Sequence, residues 1–178
     1  MQKRKAVFLD RDGVINRSLV RNGKPFAPTH DSEFEVLPGV LQALDKLRMA
    51  GYLNIVVTNQ PDVSTGVQSF QTLQTLNAHI LKNLAIDAIK VCIHIDADKC
   101  NCRKPLPGLI LQAAEEFGID ISSSFMVGDR WRDVAAGQQA GCRDIFFLDY
   151  GYLELRPTPP FHIVDSLQSA VSQILNIF

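Results

Sequence analysis

The sequence lacks an apolar run long enough to cross a membrane, and it lacks a long cluster of lysine and arginine residues. A membrane-spanning helix needs about 20 predominantly apolar residues, and nucleic acids and acidic membrane surfaces attract proteins through clustered positive charge. The formal net charge of the chain is only -1. These absences argue against a nucleic-acid or membrane partner, and they imply that any anionic ligand is attracted by local charges.

The N-terminal region does not have the pattern of a signal peptide. Residues 1–5 are largely basic, but the apolar stretch behind them is interrupted at residues 10–12 by Asp, Arg and Asp, whereas a signal peptide needs a longer apolar region. We therefore expect a cytoplasmic protein. Its 178 residues are enough for one sizeable hydrophobic core and few for two, so we predict one domain over residues 1–178. We also expect a monomer.

Short apolar runs alternate with stretches of helical periodicity along the chain. The runs lie at residues 6–9, 53–58, 89–93, 125–127 and 145–148, and each is too short for a helix. Such runs are typical of strands that are buried on both faces of a parallel sheet. Because helix-like stretches separate them, the pattern favours right-handed βαβ units. The sequence predicts an α/β fold with a doubly wound parallel sheet and helices on both faces.

Polar residues follow several of the predicted strands. Ligands of open α/β sheets bind beyond the carboxyl ends of the strands, so residues at these positions are candidates for a functional site. The candidates are Asp10 with Asp12, Thr58 with Asn59, Lys104, and Asp129 with Asp133.

Each of these groups has a purely structural explanation when it is considered alone. An Asp-x-Asp-Gly sequence is a common turn, and aspartates at the start of a helix stabilise its N-terminus. At one sheet edge, however, Asp10 and Asp12 would suit a nucleophile and a general acid/base. Thr58 and Lys104 would suit phosphoryl oxygens, and Asp129 could join Asp10 in binding a hard cation such as Mg²⁺. The combination of all four groups favours function over coincidence.

A second cluster comprises Cys92, His94, Cys100 and Cys102. Crowded cysteines in a protein without a secretory signal favour metal binding over disulfides. Three thiolates and one imidazole can complete a tetrahedral zinc site with no open position, which is typical of a structural zinc. The polar residues between these ligands argue against unrelated core cysteines. We predict a structural Zn²⁺ in a zinc loop, residues 92–102.

Four segments of the chain resemble the ordered motifs of the haloacid dehalogenase superfamily. They are residues 8–16, 58–60, 102–105 and 128–133. The cysteine-rich string that ends in Cys-Arg-Lys-Pro resembles more narrowly the zinc-containing branch of that superfamily, which includes D-glycero-D-manno-heptose 1,7-bisphosphate phosphatase and histidinol-phosphate phosphatase. The resemblance extends from about residue 5 to about residue 150.

The resemblance implies a Mg²⁺-dependent phosphatase with covalent catalysis. Asp10 would attack phosphorus to form an aspartyl-phosphate, and Asp12 would protonate the leaving oxygen and then activate water. Covalent catalysis of this kind divides one difficult displacement into two easier steps. Mg²⁺ would be bound by Asp10, the backbone carbonyl of Asp12 and Asp129, with Asp133 in support.

The resemblance also implies which residues contact the substrate. Thr58 and Lys104 would contact the phosphoryl oxygens, and Asn59, Arg103 and Arg130 would bind other parts of the substrate. Members of the superfamily often carry an inserted cap domain, but this chain is too short for a large one. Residues 16–37 and the zinc loop would shape the pocket instead.

The substrate is predicted less directly than the reaction. A small sugar phosphate is expected, with D-glycero-D-manno-heptose 1,7-bisphosphate or a related heptose phosphate as the leading substrate. Residues 61–66 lack an arginine that heptose phosphatases usually carry, and Asp62 adds an acid there. Histidinol phosphate is the alternative within the enzyme class, because Asp62 would suit its amine. The alternative from another functional class is a phospho-acceptor signalling or binding module, but such a module would lack the Asp-x-Asp pair and the zinc loop.

Overall fold

Strands and helices alternate along the chain. A computed structural model describes residues 3–176. The strands are β1 (Lys5–Leu9), β2 (Leu19–Arg21), β3 (Lys24–Phe26), β4 (Tyr52–Asn59), β5 (Ala88–Cys92), β6 (Phe125–Gly128), β7 (Asp144–Leu148) and β8 (His162–Val164). The helices are α1 (Val40–Met49), α2 (Phe70–Asn83), α3 (Gly108–Phe117), α4 (Trp131–Ala140) and α5 (Leu167–Asn176).

The main sheet contains six strands in the order β5-β4-β1-β6-β7-β8. All neighbouring strands in it are parallel, and Leu9 of β1 lies opposite Val56 of β4 on one side and Val127 of β6 on the other. The chain therefore adds strands first on one side of β1 and then on the other. This is a doubly wound sheet whose topological switch point lies at the carboxyl end of β1. The predicted fold class is confirmed.

Both faces of the sheet are covered by helices. Along β1, Val7 and Leu9 pack in a core with residues of α1 and α5, whereas Ala6 and Phe8 pack in a second core with residues of α3 and α4. All four side chains are fully buried. Successive residues of a strand point to opposite faces, so a strand between two layers of helices must be apolar at every position. This explains the absence of alternation in the short apolar runs.

A hairpin between β2 and β3 was not predicted. Leu19 pairs with Phe26 in antiparallel register, and the connecting residues Asn22 and Gly23 have φ values of 51° and 74°. An Asn-Gly pair with two positive φ values is typical of a two-residue hairpin turn. The hairpin lies within the segment that was expected to shape the pocket. Among residues 3–176 the structure contains no large cap domain.

Helix boundaries follow the expected signals. The hydroxyl of Ser69 accepts a hydrogen bond from the backbone N–H of Thr72 at 3.0 Å and thereby caps α2. Helix α4 ends at Gly141, whose φ of 84° is readily adopted by glycine. Within residues 3–176, no helix is both long enough and apolar enough to cross a bilayer.

Candidate active site

Three aspartates meet at the carboxyl end of the sheet. Asp10 follows β1, Asp129 follows β6, and Asp133 lies in the first turn of α4. Ligand oxygens of the three carboxylates all lie within 4.8 Å of one another, and each residue is at most 6% exposed. β1 and β6 are adjacent strands, and the backbone N–H of Asp10 donates to Val127 O at 3.0 Å, which fixes the spacing of the two strand ends. We call these three residues the acidic cluster.

Two glycines make room for the acidic cluster. Gly13 has a φ of 93°, and a Cβ atom at this position would lie 1.9 Å from Asp129 Oδ2. A Cβ at Gly128 would lie 2.1 Å from the Cβ of Asp133. Distances this short are not possible between non-bonded atoms, so any side chain at either position would displace a carboxylate. The Asp-x-Asp-Gly turn and the Gly128-Asp129 pair are therefore required by the packing of the acids.

A buried lysine partly neutralises the acidic cluster. Lys104 is 3% exposed, and its Nζ lies 2.8 Å from Asp10 Oδ1 and 2.6 Å from Asp133 Oδ1. It also donates to Val57 O at 2.7 Å. Burial alone would lower the pKa of Lys104, but the charges of Asp10 and Asp133 raise it. The amine is therefore a fixed positive charge between two carboxylates.

Burial and the excess negative charge raise the pKa values of two acids of the cluster, Asp10 and Asp129. Burial, followed by repulsion from Asp133, raises the pKa of Asp10 to about 6. Burial and the charge of Asp10 also raise the pKa of Asp129 well above its ordinary range. Carboxyls held in this way are typical of functional sites, where opposing charge from a ligand relieves the repulsion.

The acidic cluster fits a divalent cation. Carboxylate oxygens are the ligands that Mg²⁺ prefers in proteins, and Lys104 offsets only part of the negative charge. Asp129 Oδ1 is a buried oxygen for which the structure gives no hydrogen-bond partner. A buried acceptor without a partner is unfavourable, whereas a bound cation would satisfy it. Ligand type, charge and this free oxygen agree with the predicted Mg²⁺ site.

Asp12 is held by several hydrogen-bond donors. Arg11 Nη2 donates to Asp12 Oδ1 at 3.1 Å, and Asn16 Nδ2 donates to the same oxygen at 2.9 Å. Gln60 Nε2 donates to Oδ2 at 2.6 Å. Arg11 is fully buried and is itself anchored to Asn77 on α2. Sequence reasoning did not identify Arg11, Asn16 or Gln60 as functional, although all three are polar residues within or beside the quoted motifs.

The end of β4 supports both Asp12 and Lys104. The buried hydroxyl of Thr58 accepts a hydrogen bond at 2.9 Å from Gln60, which also holds Asp12. Asn59 exchanges two hydrogen bonds with the backbone of Lys104, at 3.0 and 3.1 Å. The side-chain amide of Asn59 therefore fixes the loop that carries Lys104. Asn59 was predicted to bind substrate, and in the structure both of its polar side-chain atoms contact protein.

A cavity of about 280 Å³ opens beside the acidic cluster. Asp10, Asp12, Asn59, Lys104 and Asp133 form part of its wall. The opposite parts of the wall come from the hairpin, from the loop after β4 and from the start of α4, which contribute Lys24, Phe26, Asp62, Arg130 and Arg132. A cavity of this size suits a small molecule. We call it the main cavity.

Three arginines beside the main cavity or the zinc loop each pair with an acid. Arg130 lines the main cavity and pairs with Glu154, with its Nε 2.9 Å from Glu154 Oε2. Arg103 is not among the residues that line this cavity, and its Nε donates to Asp96 Oδ1 at 2.7 Å. Arg132, which sequence reasoning missed, lines the cavity and contacts Asp96 Oδ2 at 3.2 Å. A substrate contact by Arg103 stays a prediction.

The cysteine and histidine side chains of the zinc loop converge as predicted. Cys92 Sγ lies 3.8 Å from Cys100 Sγ and 3.2 Å from Cys102 Sγ, and His94 Nδ1 lies 3.3 Å from Cys102 Sγ. These separations exceed a disulfide bond of about 2.05 Å. A tetrahedral zinc site with Zn–S bonds of about 2.3 Å has S···S edges of about 3.8 Å. One S···S distance equals this edge and the others are shorter, at 3.2 and 3.5 Å, while all four ligand atoms lie within 4.8 Å of one another. The ligand set and its convergence are therefore compatible with Zn²⁺.

The fold and the site together define a doubly wound α/β enzyme with a carboxylate and lysine centre at the switch point of its sheet. Residues 23–141 match the family model of the haloacid dehalogenase-like hydrolases, and the chain belongs to this family. The predicted superfamily and the predicted enzyme class, a phosphatase, are confirmed.

Curated relatives and a solved structure point to one branch of the family. The D-glycero-beta-D-manno-heptose-1,7-bisphosphate 7-phosphatase of Bordetella bronchiseptica is 37% identical over 143 residues, which cover 78% of this chain and 77% of that protein. The D-glycero-alpha-D-manno-heptose-1,7-bisphosphate 7-phosphatase of Photorhabdus laumondii is 35% identical over 168 residues, which cover 88% of both chains. The crystal structure of the B. bronchiseptica D,D-heptose 1,7-bisphosphate phosphatase with magnesium and phosphate has a TM-score of 0.84 and 30% identity, and the match covers 98% of this chain and 99% of that one.

Proposed function

We propose that this chain is a Mg²⁺-dependent phosphatase that hydrolyses D-glycero-D-manno-heptose 1,7-bisphosphate or a related heptose phosphate. The observation that carries the proposal is the acidic cluster: Asp10, Asp133 and the neighbouring Lys104 line a small cavity, and the buried Asp129 Oδ1 has no hydrogen-bond partner among residues 3–176. The heptose substrate is supported by the names of the relatives, which act on the beta or the alpha anomer.

In the proposed reaction Asp10 is the nucleophile. Its carboxylate oxygen attacks phosphorus, and the bond between phosphorus and the sugar oxygen breaks as Asp12 donates a proton to that oxygen. Asp12 then accepts a proton from water, which attacks the aspartyl-phosphate and releases inorganic phosphate with Asp10 restored. The donors around Asp12 support its second role, as proton acceptor, because they hold its carboxylate in one orientation.

Positive charge is needed because an anionic carboxylate must approach an anionic phosphate. The acidic cluster and the backbone carbonyl of Asp12 would hold Mg²⁺, which when bound offsets this repulsion. Lys104 adds a fixed positive charge 2.8 Å from Asp10 and would contact the transferring phosphoryl oxygens together with Thr58. The four zinc ligands, Cys92, His94, Cys100 and Cys102, would hold a Zn²⁺ ion that stabilises the loop beside Lys104.

The charges of the main cavity favour a substrate with a second phosphate. Arg130 and Arg132 line it but are paired with acids. Lys24 also lines it, and among the described residues it forms no ion pair. We propose that Lys24, with Arg130 and Arg132, binds the phosphate that is not hydrolysed, because a hydrogen bond to a charged group is stronger than one to a neutral group.

Histidinol phosphate is the second candidate, and one observation favours it. Asp62 lines the main cavity and could bind an amine. Since Lys24, Arg130 and Arg132 also line this cavity, in addition to Lys104, a polyanionic sugar phosphate is the better match. We further propose a cytoplasmic, monomeric enzyme without nucleic-acid or membrane partners; the cysteines are free, which fits a reducing compartment.

The test is phosphate release with and without added Mg²⁺ from both anomers of heptose 1,7-bisphosphate, from heptose 7-phosphate and from histidinol phosphate. Mg²⁺ is removed with a resin rather than a chelator, so that zinc is retained. We expect Mg²⁺-dependent release that is fastest with one bisphosphate anomer and absent in the Asp10→Asn variant. Preference for histidinol phosphate would reject the heptose assignment, and turnover by Asp10→Asn would reject the nucleophile.

A further inference from the structure

The segment that follows β7 crosses the carboxyl end of the sheet and is fixed at several points. The hydroxyl of Tyr150 donates to Gly13 O at 2.9 Å, and the hydroxyl of Tyr152 donates to Asp129 Oδ2 at 2.9 Å. The backbone N–H of Leu153 donates to Gly23 O in the hairpin turn at 2.8 Å. Glu154 pairs with Arg130. We call residues 150–154 the tyrosine segment.

The contact between Tyr152 and Asp129 is the one that reaches the acidic cluster. Asp129 is 1% exposed, and the backbone of Gly13 packs so closely against its carboxylate that a Cβ there would lie 1.9 Å from Oδ2. Tyr152 donates to that same oxygen, while Oδ1 has no hydrogen-bond partner among the described residues. The carboxylate is therefore restrained on one oxygen only, and its other oxygen is available to a ligand.

We propose that Tyr152 is a positioning residue for the cation site, and that its hydroxyl holds the Asp129 carboxylate in the rotation that leaves Oδ1 as the free ligand atom of the acidic cluster. The proposal rests on the proposed Mg²⁺ site. Groups that hydrogen-bond to metal ligands orient them and typically change metal affinity by about 10- to 100-fold when removed. The phenol suits this task because its O–H donates while the ring is held by its neighbour Tyr150, at a centroid distance of 5.6 Å.

The tyrosine segment also contacts two parts of the structure that line the main cavity. Tyr152 acts on the acidic cluster, Leu153 anchors the hairpin, and Glu154 holds Arg130 in the wall of the main cavity. One stretch of five residues, 150–154, thus links the cation site to both substrate-facing walls. A rotation of Tyr152 would release Asp129 without directly disturbing Asp10 or Lys104.

The experiment compares Tyr→Phe variants of all three tyrosines in the chain. Mg²⁺ binding to the zinc-loaded protein is measured by calorimetry without substrate, together with Tm in Mg²⁺-free buffer. We expect the Tyr152→Phe variant to bind Mg²⁺ at least about tenfold more weakly, with Tm close to that of the wild type. Tyr52→Phe is the matched control, because Tyr52 begins β4 at the opposite end of the sheet, and its Kd for Mg²⁺ is expected to be unchanged.

The Tyr150→Phe variant tests whether a loss of Mg²⁺ affinity comes from the missing Tyr152 hydroxyl itself or from general disruption of the tyrosine segment. It removes a hydroxyl that is bound to Gly13 O rather than to Asp129, so we expect a less than twofold change in Kd. Wild-type Mg²⁺ affinity in Tyr152→Phe, or equal weakening in Tyr150→Phe, would overturn the role of Tyr152 while the proposed phosphatase stands. A wild-type protein that binds no Mg²⁺ would overturn the cation site itself.

Discussion

Replacing Asp10 by asparagine should abolish turnover and at the same time stabilise the Mg²⁺-free protein at neutral pH. Asp10 is buried beside Asp133, and its pKa rises from an ordinary value of 3.8 to about 6. Because the folded state binds this proton more tightly than the unfolded state, folding is favoured at low pH. That stabilisation is complete below about pH 4 and is lost as pH rises to about 6.

The magnitude follows from the size of the shift. A shift of about two pKa units corresponds to about 3 kcal/mol of unfolding free energy that the ionised Asp10 removes above pH 6. Asparagine keeps the size of the side chain and an oxygen that can accept from Lys104, but it carries no charge. We therefore expect Asp10→Asn to raise the unfolding free energy by about 1 to 3 kcal/mol at pH 8, and by about half as much at pH 5.

The assay is urea denaturation at pH 8 and pH 5 in resin-treated buffer, where zinc is retained. Asp45→Asn, which changes an exposed carboxylate on α1, is the matched control and should shift stability by less than about 0.5 kcal/mol. Adding Mg²⁺ should stabilise the wild type more than Asp10→Asn, because the variant has lost a charged ligand. A destabilised Asp10→Asn at pH 8 in Mg²⁺-free buffer would show that repulsion among the acids does not dominate this site.

Two further predictions concern zinc and substrate selection. The Cys100→Ser variant should lose most of its bound zinc, measured by mass spectrometry of metals, and should have a lower Tm. The control is Cys142→Ser, which lies outside the ligand cluster and should retain zinc. Equal zinc content in both variants would refute the zinc site. Lys24→Ala should lower the ratio of kcat/KM for heptose 1,7-bisphosphate to that for p-nitrophenyl phosphate by about tenfold, as expected for one hydrogen bond between charged groups. An unchanged ratio would remove Lys24 from the proposed binding of the second phosphate.

The fold and the centre of the site were predictable because they depend on local patterns. An apolar run without alternation indicates a central parallel strand, and the carboxyl ends of such strands must share one edge of the sheet. This places Asp10 and Asp129, which directly follow β1 and β6, together without any knowledge of side-chain contacts. The convergence of Cys92, His94, Cys100 and Cys102 was predictable from their spacing in the sequence.

The substrate-facing parts were harder to predict because they depend on pairings between distant residues. Arg103 and Arg132 both contact Asp96, and only the packing of α4 against the zinc loop decides which arginine faces the main cavity. The contact of Tyr152 with Asp129 joins residues on different loops and has no local sequence signal. The hairpin did have one, since Asn22-Gly23 is a strong turn sequence, but its strands are only three residues each.

The zinc loop is linked to the acidic cluster through Lys104 and Arg132. Lys104 follows Cys102 by two positions, and its ammonium is placed between Asp10 and Asp133. Asp96, in the middle of the loop, contacts Arg132, which in turn donates to Lys104 O at 3.2 Å. An ion bound by the proposed zinc ligands would therefore also help to fix Lys104, which partly neutralises the acidic cluster. Burial is the main cause of the raised pKa of Asp10, and the charges of Asp133 and Lys104 modify it, so a Zn²⁺ ion bound in the loop would influence Asp10 through the position of Lys104.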